Sequence, residues 1–206
     1  IPEINFENAN VEFIGVSSAG GAMSGGKLNI TNSTINIQKP VSAYASIMMN
    51  FSGDVVIDGG SLNVEDTLYS TILKGANVTI KNGAKLELLT GGTAISAANL
   101  NVQDAGTYIH AGGINPRAIS VTGTLTFSDN PGKFQANSGS ATGAMTTVSK
   151  EYFLEQLNAW KQVGIELFEH TCSYTGNVTT PATCTTDGVM TYTCSCGKSY
   201  TETIPA

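Results

Sequence analysis

The chain has 206 residues, a formal net charge of −6 and a single arginine, Arg117. No basic stripe is present to neutralise phosphates, which excludes a nucleic-acid binder, and no apolar run reaches the roughly 18 residues of a membrane-spanning helix. Only 13% of residues are charged and 23 are glycine, a mix suited to tightly wound β-structure with polar turns rather than to a helical enzyme.

The chain starts at Ile1 inside a strand pattern with no visible signal peptide, and reads as a trimmed segment of something longer. From there one unit recurs six times: two apolar residues two apart, a short turn, then two more. First strands carry Ile4/Phe6, Leu28/Ile30, Val55/Ile57, Val78/Ile80, Leu100/Val102 and Leu125/Phe127, with starts 24, 27, 23, 22 and 25 residues apart. Second strands follow at Val11/Phe13, Ile35/Ile37, Leu62/Val64, Leu86/Leu88, Tyr108 and Phe134. Between them stands a turn-former at a fixed offset: Asn8, Asn32, Gly59, Asn82, Asp104 and Asp129. Asn, Gly and Asp accept a left-handed backbone at least cost, so this ladder marks one tight corner repeated.

A period of 20–25 residues is the mark of a solenoid, whose single coils cannot bury their own apolar face. A third, fainter strand is expected at Ser46-Ile47-Met48, Ser70-Thr71-Ile72, Thr93-Ala94-Ile95 and Arg117-Ala118-Ile119. Three strands per coil imply a triangular section. The expected fold is all-β: a short right-handed parallel β-helix of about six coils over residues 1–136. An antiparallel sandwich would need hairpin signals and would not place a turn-former six times at one offset.

Residues 137–148, with Asn-Ser-Gly-Ser-Ala-Thr-Gly, have the composition of a flexible linker. A helix is expected over 149–164, with Ser149 as N-cap, Glu151 in the first turn, and Phe153, Leu157 and Trp160 on one face. Its simplest role is to cover the open end of the solenoid, with partner binding as the alternative.

Residues 165–206 form a small Cys-rich β-module holding all four cysteines, Cys172, Cys184, Cys194 and Cys196, with His170 just ahead. Pro181-Ala182-Thr183-Cys184-Thr185, then Thr191-Tyr192-Thr193-Cys194-Ser195-Cys196-Gly197, then Tyr200-Thr201-Glu202-Thr203-Ile204-Pro205-Ala206 resembles a short Cys-containing module. Modules of that type, ATCT–G–YTC–CG–Y-x-E-x-IPA, occur in large secreted surface proteins of Gram-positive gut bacteria, often after β-helical or adhesin-like regions. The resemblance covers about 35 residues and implies an extracellular, cell-surface or wall-associated location, without implying chemistry. This chain has Cys-x-Cys where Cys-x-x-Cys is commoner and lacks the usual trailing Gly-His, which weakens a zinc assignment. From the residues alone, three states stay open: two disulfides, a zinc site using the cysteines and His170, or free thiols, each structural. No other cofactor is expected.

Many β-helices degrade polysaccharides, which requires grouped acids and a base. Here the acids are scattered: Asp104 and Asp129 sit at turn positions, Glu65 and Asp66 are the one adjacent pair in the repeats, and Arg117 shares a coil with His110. No catalytic residue is assigned. The Asn/Thr/Ser-rich faces suit sugar hydroxyls, and Tyr44, Tyr69 and Tyr108 are the candidate stacking residues. The expected function is a non-catalytic surface module that adheres to a host, plant or bacterial glycan. The alternatives are a structural stalk and, behind it, a lyase- or hydrolase-like enzyme. Five N-x-[ST] triplets, at Asn29, Asn32, Asn50, Asn77 and Asn177, follow from Asn and Thr being common.

Overall fold

The computed structural model describes residues 2–14, 22–37, 47–65, 71–113, 117–128, 132–169, 171–194 and 198–206. They divide into two compact units, Ile1–Glu169 and His170–Ala206.

The first unit is a parallel β-solenoid. Coil one contains β1 (Glu3–Glu7), β2 (Asn10–Phe13) and β3 (Met23–Gly25); coil two contains β4 (Lys27–Thr31), β5 (Thr34–Ile37) and β6 (Ile47–Phe51). Then come β7 (Val55–Asp58), β8 (Ser61–Glu65), β9 (Thr71–Lys81), β10 (Lys85–Thr90), β11 (Ile95–Val102) and β12 (Tyr108–Gly113). The sixth repeat begins with β13 (Ile119–Val121) and β14 (Leu125–Phe127) and continues into β15 (Gly132–Asn137). First strands stack in one sheet, β1-β4-β7-β9-β11, and second strands in another, β2-β5-β8-β10-β12.

Register follows the apolar pattern. Ile4, Leu28, Val55, Val78, Leu100 and Leu125 form one inward row, and Val11, Ile35, Leu62, Leu86 and Ile109 another. A one-residue slip would turn every such side chain to solvent, so burial locks the register. Each Leu or Ile so buried contributes about 1.5–3 kcal/mol.

One expectation about the coil changes. The third strand exists, but β9 and β11 run straight from it into the next first strand, and both belong to one sheet. In the earlier coils the third and first strands stay separate, as β3 and β4, then β6 and β7. The solenoid has about four turns rather than the expected six coils. The sixth repeat still places β14 directly on β11 in the first sheet. In the second sheet, β17 (Gln162–Leu167) enters between β12 and β15, antiparallel to both.

That strand overturns the helix expected over 149–164. Ser149 does cap a helix, its Oγ accepting from the Tyr152 N–H at 3.2 Å, but α1 covers only Lys150–Glu155 and a 3-10 turn covers Leu157–Ala159. Beyond Trp160, Val163, Ile165 and Leu167 alternate with polar or small residues, and that period of two prevails. Ile165 sits between Ile109 and Phe134, and Val163 between Ala111 and Ala136, continuing the solenoid's inward rows.

The supposed linker is ordered as well. β16 (Thr146–Val148) pairs with β15, and Asn137 organises the loop between them. Its Oδ1 accepts from the N–H groups of Gly139 (2.8 Å) and Ser140 (3.2 Å), and its Nδ2 donates to the Ala144 carbonyl at 3.0 Å. A Gly/Ser composition reads as flexible only while such a side chain is not counted. The boundary before the Cys module falls after Glu169, not after 164, because residues 162–167 belong to the solenoid.

The turn corner is left-handed at Asn8, Asn32, Gly59, Asn82 and Asp104, with φ between 45° and 71°; Asp129 lies outside the described residues. Side chains tie the corner from coil to coil. Asn82 donates to Asp58 Oδ1 at 2.5 Å, and Lys81 Nζ lies 3.0 Å from Asp58 Oδ2. The Asn82 hydrogen bond, then Lys81, hold the Asp58 carboxyl below its ordinary value. A carboxyl lowered on folding stabilises above its unfolded value of about 3.9, and that contribution disappears as pH falls through the folded value. Urea midpoints measured from neutrality down past about pH 4 should therefore fall less steeply in Asp58→Asn than in the parent.

The second unit is a three-stranded antiparallel sheet of β18 (Tyr174–Thr180), β19 (Gly188–Cys194) and β20 (Ser199–Ile204). No helix among the described residues is long and apolar enough to cross a membrane.

Candidate functional site

The outer face of the second sheet presents side chains in rows, because parallel strands in register put equal offsets one strand spacing apart. One row is Asn36, Asn63, Glu87 and His110 on β5, β8, β10 and β12. The neighbouring row is Thr34, Ser61, Lys85, Tyr108 and, on β17, Glu166. Two hollows lie over these rows. One of about 570 Å³ is lined by Asn36, Asn63, Glu65, Glu87 and Leu89 among others. The other, about 540 Å³, is lined by Ser61, Lys85, Tyr108 and Glu166. Asn63 and Glu87 line both, so the two form one groove across the strands.

Its polar groups are held in place. Asn63 Nδ2 donates to Asn36 Oδ1 at 2.8 Å, and Ser61 Oγ donates to Thr34 Oγ1 at 3.3 Å. Glu87 is the hub: its Oε2 lies 2.7 Å from His110 Nδ1, and it accepts the Tyr108 hydroxyl. Burial first, then the Glu87 carboxylate, push the Tyr108 phenol above its ordinary value, keeping it a neutral donor. His110 Nε2 faces the buried Gln162 Nε2 at 2.8 Å. In the neutral ring, Nδ1–H donates to Glu87 and Nε2 accepts from Gln162. Both ring nitrogens are engaged, which makes His110 a positioning group for Glu87 rather than a base open to solvent.

Of the three tyrosines, Tyr108 stands in this groove, while Tyr44 and Tyr69 lie outside the described residues. Glu65 lines the groove and its neighbour Asp66 is not described. Arg117 does not join His110: its Nη1 donates to Asn158 Oδ1 on the 3-10 turn. Asp104 serves its corner, Oδ2 accepting from the Asn82 N–H at 3.3 Å. Asn36, Asn63, Glu87 and Glu166 were not singled out in the sequence. The first three were findable as equal offsets in successive second strands, but Glu166 required knowing that β17 joins the sheet.

The first sheet carries a ladder instead of a groove. Lys27 faces Asp54 at 3.7 Å, Asn77 donates to Asp54 at 2.8 Å, Asn99 to Asn77 at 2.9 Å, and Thr124 Oγ1 to Asn99 at 3.0 Å. A hollow of about 430 Å³ beside it is floored by Gly75, Ala76, Ala97 and Ala98.

In the second unit Cys194 is buried on β19 opposite Tyr174, Cys172 is half-buried, and Cys184 is exposed in the turn before β19. Cys196 and His170 lie outside the described residues. Among the described residues no three His, Cys, Asp or Glu side chains gather as a metal-binding group. Tyr192 and Tyr200 stack at 4.8 Å, with Tyr174 edge-on to Tyr200 at 5.0 Å. No protein-family model, curated protein or solved structure matches this chain.

Proposed function

We propose that the chain is a non-catalytic extracellular surface module that binds a glycan in the groove of the second sheet. The observation that carries this reading is the continuity of the two hollows through Asn63 and Glu87. A groove across stacked strands offers hydrogen-bonding groups about every 4.8 Å, and a polysaccharide offers hydroxyls at a comparable repeat. Half-buried Leu89 and Tyr108 supply apolar surface for the C–H face of a sugar ring. The secreted, wall-associated setting rests on the polar composition and on the likeness of the C-terminal module, whose cysteines then serve structure.

Affinity electrophoresis through gels holding plant, mucin and bacterial polysaccharides tests the proposal. At least one polymer should retard the chain, and Tyr108→Ala or Asn63→Ala should weaken that retardation about tenfold, the worth of one or two hydrogen bonds. Free migration through all of them would leave the stalk reading. A hydrolytic reading has one observation in its favour, Glu65 and Glu87 lining one hollow. It requires release of reducing ends from the retarding polymer, and none is expected.

A further inference from the structure

We propose that the glycan taken by this groove is a cationic one, a polymer of amino sugars with free amines; this rests on the glycan-binding reading above. The groove is anionic. Glu65, Glu87 and Glu166 line it against one lysine, Lys85, with Lys133 of β15 one strand beyond Glu166. Among the described residues neither Glu65 nor Glu166 forms an ion pair, and Glu87 is held by His110 and the Tyr108 hydroxyl, with no lysine or arginine on it. Uronic or sialic acids entering here would meet like charge in a partly desolvated trough, whereas an ammonium group would be attracted.

The placement of the carboxylates suits a polymer rather than a single cation. Glu65 is on β8, Glu87 on β10 and Glu166 on β17, with the sheet order β8-β10-β12-β17. Across the strands, first to last is three spacings, about 14 Å; because Glu65 pairs with Leu89 and Glu166 with Tyr108, the line also runs four residues along them, making a diagonal of about 19 Å. An extended β-1,4-linked amino sugar advances by about one strand spacing per residue and turns over at each, so amines on one side recur about every second residue and several fall within this span. Tyr108 on β12 lies between them, and Ser61 and Asn63 beside Glu65 on β8, with Asn36 beyond it on β5, offer partners for the hydroxyls. A basic peptide would match the charge but not the rest: the backbone beneath is already paired on both sides, leaving no strand edge to extend.

Titration calorimetry of the whole chain should be run with four hexamers: β-1,4-glucosamine, its N-acetylated form, galacturonic acid and lysine. The glucosamine hexamer should bind, and the N-acetylated and uronic hexamers should bind at least about tenfold more weakly, the loss of one charge-assisted contact. Glu65→Gln and Glu166→Gln should each weaken the glucosamine hexamer about tenfold, while Glu155→Gln, an exposed carboxylate on α1, should leave it unchanged. Equal or tighter binding of the acetylated or uronic hexamer would overturn the inference and leave the glycan reading standing. Equal binding of hexalysine, or equal weakening by Glu155→Gln, would reduce the effect to charge alone and also overturn it. No binding of any saccharide here, together with free migration in the polysaccharide gels, would remove both.

Discussion

Gly60→Ala is expected to cost more than about 4 kcal/mol, among the largest losses for a single methyl, while Gly83→Ala costs about 1–2 kcal/mol. The two glycines occupy the same corner of successive coils with the same φ of 73°. Each alanine would carry the left-handed penalty of an L-residue. They differ in what lies on the neighbouring coil. A Cβ on Gly60 would stand 2.1 Å from the carbonyl oxygen, 2.5 Å from the nitrogen and 2.8 Å from the carbonyl carbon of Ser33, all backbone. At Gly83 the nearest atom would be 3.9 Å away. Ser33 cannot retreat, since its carbonyl accepts from Ser61 N–H at 2.9 Å and its buried Oγ accepts from Ala9 N–H at 3.0 Å. Urea unfolding of both variants beside the parent would show it, with a collapsed midpoint for Gly60→Ala alone. Equal losses would mean that the coils separate freely at this corner, contrary to the close contact there.

The contrast also shows what the sequence could and could not convey. A turn-former at one offset was legible in every coil, because only a few residue types tolerate that backbone. Which of those positions touches the next coil was not, since contact depends on the rise between coils and not on residue type. The apolar rows from Ile4 to Leu125 were legible for the same local reason, as each coil repeats the same alternation. Reading failed where the chain turns back. Phe153, Leu157 and Trp160 fit a helical face, and nothing local says that the helix gives way after Glu155. The information sat in Val163, Ile165 and Leu167, whose alternation gains stability only once β12 and β15 lie on either side. The groove was lost with it, because Glu166 and the Gln162 contact to His110 exist only when β17 enters the second sheet.

Ile165→Ala is the second large effect expected, about 2–5 kcal/mol, and its distribution along the chain matters as much as its size. Ile165 is fully buried between Ile109 and Phe134. In a stacked repeat each coil depends on its neighbours, so a defect at one end loosens that end first. The region that opens should be β15, β16, β17 and α1 with the facing side of β12, because Phe134 packs on both Phe127 (5.0 Å) and Phe153 (5.4 Å). Native-state hydrogen exchange would resolve it. Amides of 132–137 and 162–167 should lose protection by the full destabilisation, while those of β4, β7 and β8 keep theirs under conditions where the parent opens only locally. Uniform loss along all coils would instead make the solenoid one cooperative block, with β17 as integral as any central coil. The expected polarised loss has a consequence for binding. The half of the groove bearing Tyr108 and Glu166 would weaken in Ile165→Ala, whereas the half bearing Asn36, Asn63 and Glu65 would persist, so glycan retardation should fall without vanishing.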